Sequence, residues 1–105
     1  HILDLKAFII VAPEYNGVMP PVLNNAMAWT SRATKSWRDA FEQKVVALAT
    51  HSGGGGAKGL QAMRIMFQHL GANILAREIL TTYEKPLNEE SAKNIIEQLS
   101  KLAKV

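Results

Sequence analysis

Residues 7–17 read AFIIVAPEYNG, an apolar run that stops at a proline and passes through a polar loop to a glycine. Residues 7–12 do not alternate between apolar and polar. A strand with one wetted face would alternate, so an unbroken apolar run predicts a parallel strand covered by helices on both faces. Ligands of open parallel sheets bind just beyond the carboxyl ends of the strands, and residues 13–17 stand at that place. Pro13 cannot donate to a ladder and ends the strand. Gly17 permits a backbone turn that other residues resist. The expected product is a rigid loop whose N–H groups face a ligand.

Working outward, Pro20-Pro21 suits a helix start, where a missing N–H costs nothing. The helix is expected over 21–34, with Val22, Ala26, Trp29 and Ala33 on its apolar face and Leu23, Met27 and Thr30 beside them. Residues 35–43 are polar and irregular. Trp37 and Phe41 in that stretch are read as a lid over the sheet end or a contact for another subunit. A second non-alternating strand is predicted over 44–50, ending in His51-Ser52-Gly53-Gly54-Gly55-Gly56. A helix over 57–70 places Leu60, Met63, Phe67 and Leu70 at core spacing. Gly71 is its left-handed stop. A third strand over 73–80 contains the polar pair Arg77-Glu78, which marks it as a sheet edge. The last helix starts at Asn88, with Glu89 and Glu90 in its positive first turn. Its stripe is Ala92, Ile95, Ile96, Leu99 and Leu102, and Lys101 and Lys104 suit its last turn.

The order β-α-β-α-β-α argues for a parallel sheet with right-handed crossovers. The first strand reads as the most evenly buried, yet the second supplies only one neighbour. Something is therefore expected on its other edge, either earlier chain or another subunit; left bare, that edge is an aggregation hazard.

The polypeptide has 105 residues, enough for one small domain. Its 48% hydrophobic content is ordinary, and no apolar run approaches the ~20 residues of a membrane helix. The opening His1-Ile2-Leu3-Asp4 has neither a basic stretch nor a cleavage site. There are no cysteines, which removes disulfides, thiol catalysis and thiolate metal sites, and the expectation is a cytoplasmic protein. The net charge is +3 with Lys and Arg scattered, which argues against nucleic-acid binding. The three histidines lack metal spacing. Ser52 lacks a nucleophile elbow.

Residues 10–17, IVAPEYNG, followed by Pro20, Leu23, Asn25-Ala26 and Trp29, resemble the NAD(P)H-dependent FMN reductase family. These are flavodoxin-like proteins that include quinone, chromate and azo-dye reductases. In that family a strand ends in a PEYNG loop and a helix of the form P-x-x-L-K-N-A-x-D-W follows. Ser52-Gly53-Gly54 matches its Ser-Gly-Gly loop, and Leu70-Gly71-Ala72 its Leu-Gly-Ala. Asn24 stands where the family usually has Lys, and Ala28 where it often has Asp. Members carry two earlier βα units, the first of which cradles the FMN phosphate. The resemblance therefore implies a single flavodoxin-like α/β domain, three-layer α/β/α with a parallel sheet, represented by its last three strands and helices. Roughly 60–70 preceding residues would be missing, and the strand order would be 2-1-3-4-5.

The resemblance implies FMN as cofactor and NAD(P)H as electron donor, with hydride passed to quinones, flavins or a similar small-molecule acceptor. It implies a homodimer or homotetramer in which the helix carrying Trp29, and Trp37, meet a neighbour. The protein's task is then orientation, a stacking site and donors toward the flavin's pyrimidine end. The flavin-binding residues are Pro13, Glu14, Tyr15, Asn16 and Gly17 in the first loop, and His51, Ser52, Gly53 and Gly54 in the second. The N–H groups of Tyr15, Asn16, Gly17, Gly53 and Gly54 are the candidate donors. Glu14 either faces the ligand or fixes the loop, the second being favoured. His51 either touches the flavin edge or is a polar loop residue, the second again favoured. No catalytic side chain and no metal ligand is assigned.

Two other readings stand beside this one. Gly54, Gly56 and Gly59 satisfy G-x-G-x-x-G after a strand and at a helix start, the pattern of an NAD-binding turn, although a run of glycines supplies that spacing easily. The chain is alternatively a non-catalytic assembly module without flavin.

Overall fold

The computed structural model describes residues 2–103; His1 and Lys104, the latter expected in the last helical turn, lie outside them. A 3-10 turn, Ile2–Asp4, leads into β1 (Ala7–Val11). There follow α1 (Pro21–Arg32), β2 (Val45–His51), α2 (Ala57–His69), β3 (Asn73–Ile74), β4 (Ile79–Thr81) and α3 (Glu89–Ala103). Every strand pair is parallel. β1 runs beside β2 in register from Ala7↔Val45 to Val11↔Ala49. β3 and β4 lie end to end on the other edge of β2, through Val46↔Ile74 and Thr50↔Leu80.

The sheet separates two apolar layers. On one face Val46 and Leu48 of β2, with Phe8 and Ile10 of β1, pack against Leu60, Met63, Phe67 and Leu70. These last four are the residues whose spacing predicted the core side of α2. On the other face Val45, Ala47 and Leu75 meet Ile95 and Leu99 of α3. Asn88 caps α3, its Oδ1 accepting the Ser91 N–H at 3.1 Å. Ile96 and Leu102, expected in the stripe, are exposed at its margins.

Several expectations are corrected. The evenly buried strand is β2, not β1. The first six residues of β2 are all buried, because α2 covers one face and α3 the other. Of β1, Ala7 packs against the α3 layer, while Ile9 and Val11 on that face are 43% and 71% exposed. The third predicted strand is two short ones. Between them Arg64 of α2 donates to the Leu75 carbonyl at 2.9 Å and pairs with Glu78 at 2.9 Å. That side chain takes a carbonyl a continuous ladder would use.

α1 faces the sheet with Leu23 and Met27, which pack on the core. Val22 and Trp29 point outward, Trp29 being 71% exposed. Both stripes have helical spacing, one residue apart, and only the docked helix selects between them. Phe41 is neither lid nor subunit contact. It is buried, with ring centroids 5.0 Å from Phe8 and 5.2 Å from Phe67. Trp37 is no lid over the carboxyl ends of the strands either. It stacks at 5.0 Å on His69, the last residue of α2, and α2 runs antiparallel to β2. Trp37 therefore sits at the opposite end of the sheet. Gly71, at φ 88°, ends α2 as expected.

Candidate functional site

The loops after β1, β2 and β4 gather at one end of the sheet, the carboxyl end. Ala12 extends the ladder by one bond, its N–H reaching the Ala49 carbonyl at 3.1 Å. After Pro13 and Glu14, Tyr15 and Val18 exchange two hydrogen bonds, of 2.8 and 3.0 Å. Asn16 and Gly17 between them both have positive φ, 52° and 80°. That is the requirement of a tight type I′ turn, for which Asn-Gly is the favoured pair. The Tyr15 N–H, expected to face a ligand, is thus spent inside the turn. Those of Asn16 and Gly17 take no partner among the described residues.

In the second loop the Ser52 N–H donates to the Thr81 carbonyl at 3.0 Å. The Ser52 hydroxyl accepts the Gly54 N–H at 3.1 Å, a local turn that spends a second expected donor. The Gly53 N–H takes no partner among the described residues. Gly56 precedes α2 at φ 86°, where a Cβ would lie 2.8 Å from Thr50 Cγ2. This glycine serves the entry into α2.

Glu14 Oε1 accepts the Gly59 N–H at 2.7 Å. The favoured sequence reading, that Glu14 fixes its loop, has a visible partner. Gly59 was singled out only for its place in a glycine pattern. A Cβ there would stand 2.9 Å from Glu14 Cβ and 3.2 Å from Glu14 Cα.

His51 is the last residue of β2. Its Nδ1 lies 2.8 Å from Thr81 Oγ1, and its ring meets Tyr83 edge-on at 5.3 Å. His51 therefore engages the loop after β4. Tyr83 was not expected at the site. Its signal was position alone, two residues past a strand end on the ligand-binding side of the sheet.

The glycine loop forms a ridge between two open notches. One, of about 310 Å³, is lined by Glu14, Asn16, Gly17, the three glycines 54–56, Ala57 and Lys58. The other, of about 320 Å³, is lined by Gly53, Gly55, Thr82, Tyr83 and Glu84. Ligand pockets span roughly 300–1,000 Å³, so the first notch has room for a flat ring and not for a whole mononucleotide. In the first notch the unpartnered N–H groups of Asn16 and Gly17 and a wall without side-chain bulk at Gly17, Gly54 and Gly55 suit a planar heteroaromatic edge.

A parallel sheet between helices, with its polar loops at the carboxyl ends of the strands, makes this a flavodoxin-like α/β protein. An archaeal flavodoxin superposes with a TM-score of 0.75 at 10% identity, covering 99% of this chain and 69% of that one. Residues 1–85 match the model of the family described as NADPH-dependent FMN reductase, and the chain belongs to that family. It is also similar to an NADPH:quinone oxidoreductase of Arabidopsis thaliana, with 24% identity over 102 residues, 95% of this chain. The chain spans about half the length of that curated relative, 50% of it. Among the described residues no helix is long and apolar enough to cross a membrane.

Proposed function

We propose that this chain forms the ring-binding half of an FMN-dependent NAD(P)H oxidoreductase, and that the notch between residues 13–17 and 52–58 receives the isoalloxazine. The observation that carries the reading is that Asn16 and Gly17, whose N–H groups have no partner among the described residues, line a glycine-walled notch at the carboxyl end of β1, with Gly53 beside the second notch. Membership in the FMN reductase family supports it.

When bound, FMN would accept hydride from NAD(P)H and deliver it to an acceptor such as a quinone or a free flavin. The residues of this chain orient and polarise. Donors at the pyrimidine end stabilise negative charge on the reduced ring. Ser52 and Pro13 shape the two loops, and Tyr15 closes the turn that presents Asn16 and Gly17. His51, tied to Thr81, backs the ring of Tyr83, which lines the second notch, where a flat acceptor or nicotinamide would approach. The FMN phosphate would be held away from these two notches, and exposed Ile9 and Val11 and the open edge of β1 leave a surface for further contacts.

The glycine pattern has an explanation other than a dinucleotide. Gly59 is small because Glu14 rests on it, and the carboxylate takes the N–H that a pyrophosphate would use at the helix N-terminus. A negative charge at that point also repels phosphate. This argues against NAD binding on α2.

An FMN titration followed by flavin fluorescence tests the reading, on residues 1–105 and on a longer protein carrying them. Saturable quenching by the longer protein is expected. Absence of quenching by both would overturn the assignment and favour an assembly module without flavin.

A further inference from the structure

We propose that Glu14 is a positioning residue, a clasp that sets the width of the notch by holding the first loop against the first turn of α2. This rests on the flavin reading above for its ligand and on geometry alone for the clasp.

The first-turn N–H groups of a helix have no partners within the helix. α2 is preceded by Gly56, which offers no side-chain cap, and no acidic residue stands in its first turn. The acceptor comes instead from Glu14, 45 residues earlier, at 2.7 Å. A carboxylate at the positive end of a helix makes a strong hydrogen bond.

The contact is more than one bond. The absent Cβ of Gly59 leaves a seat in which Glu14 Cα, Cβ and Cγ would all stand within 3.2 Å of that Cβ. The backbone of the first loop is therefore held close, not only its carboxylate. Lys58 adds a second contact, its Cδ lying 3.6 Å from where a Cβ on Gly17 would be. On the near side, Ala12 is held to β2 by its ladder bond. Glu14 thus lies between a fixed strand end and the Asn16-Gly17 turn, and decides where that turn stands relative to the glycine loop. Both walls of the notch include residues on either side of the clasp.

The test compares Glu14→Ala, Glu14→Gln and Gly59→Ala in the full chain, by two measurements. The first is amide hydrogen exchange of Gly59 and of residues 15–18 without flavin. The second is FMN affinity, measured well below the melting temperature. Glu14→Ala and Gly59→Ala should each speed exchange of the amide at position 59 and raise the FMN Kd, by about tenfold or more for Glu14→Ala. Glu14→Gln keeps an acceptor of the same length and should restore both to within about fivefold. Unchanged exchange in Glu14→Ala overturns the clasp. Faster exchange with unchanged FMN affinity overturns the positioning role and leaves a structural bond. Equal loss with Gln and Ala would mean that charge matters and the hydrogen bond does not, which also overturns it. If neither unaltered residues 1–105 nor a longer protein carrying them binds FMN, the flavin reading falls, and the exchange data alone still judge the clasp.

Discussion

Tyr83 lies on Gly53, its Cε2 3.2 Å from where a Cβ of Gly53 would stand. The glycine does not merely loosen the second loop; it makes room for an aromatic ring from the loop after β4. That ring in turn meets His51 edge-on. Tyr83→Leu should therefore shift the His51 ring resonances, and Gly53→Ala, by displacing Tyr83, should shift them too. Because Tyr83 is 86% exposed, its replacement should change stability by no more than about 0.5 kcal/mol. Two-dimensional NMR and urea unfolding check both statements. Unmoved His51 signals in both variants would contradict the contact.

Gly17→Val is expected to damage the first loop. Gly17 has φ 80°, a region costly for any residue with a Cβ and worst for a β-branched one. The substitution should cost about 1–2 kcal/mol and weaken FMN binding at least about tenfold, with helix content by circular dichroism retained. FMN affinity equal to that of the unaltered protein would remove the first loop from the site.

Phe41 and Trp37 should part company. Phe41→Ala empties a buried ring site between Phe8 and Phe67 and should cost about 3–5 kcal/mol. Trp37→Ala removes a half-exposed ring at the far end of the sheet. It should cost about 1 kcal/mol through its lost stacking on His69 and leave FMN affinity as it was. Urea denaturation and a flavin titration separate the two outcomes.

Trp29, exposed on α1 beside outward-facing Val22, is the residue we infer to meet a second copy. Trp29→Glu should lower self-association by at least about tenfold and leave monomer stability within about 0.5 kcal/mol. Sedimentation velocity at several concentrations reads the first, thermal melting the second. An unchanged distribution of species would place any subunit contact elsewhere.

Much of the site was legible before folding was considered. Pro13 after an apolar run, and Asn-Gly three residues on, announce a strand end and a tight turn. The glycines after His51 announce a second loop at the same end of the sheet. Individual donors were not legible. The Tyr15 N–H goes to Val18 and the Gly54 N–H to Ser52, and such pairings depend on loop geometry that residue types do not specify. The Glu14–Gly59 contact was out of reach too, since its partners lie 45 residues apart.

The sequence by itself determined the order of the first two strands and the three helices, the edge position of the segment after α2, the caps at Asn88 and Gly71, and the core stripe of α2. These follow from local propensity and from periodicity, which act within a few residues. Only the tertiary structure decided that β2, not β1, is buried on both faces, and which of two adjacent stripes on α1 meets the sheet. It alone put Phe41 in the core, Trp37 at the far end, and Glu14 against α2. Burial and hydrogen bonding depend on which elements come to lie beside each other. An apolar residue has the same local signal whether its neighbour is a helix, a second copy or water.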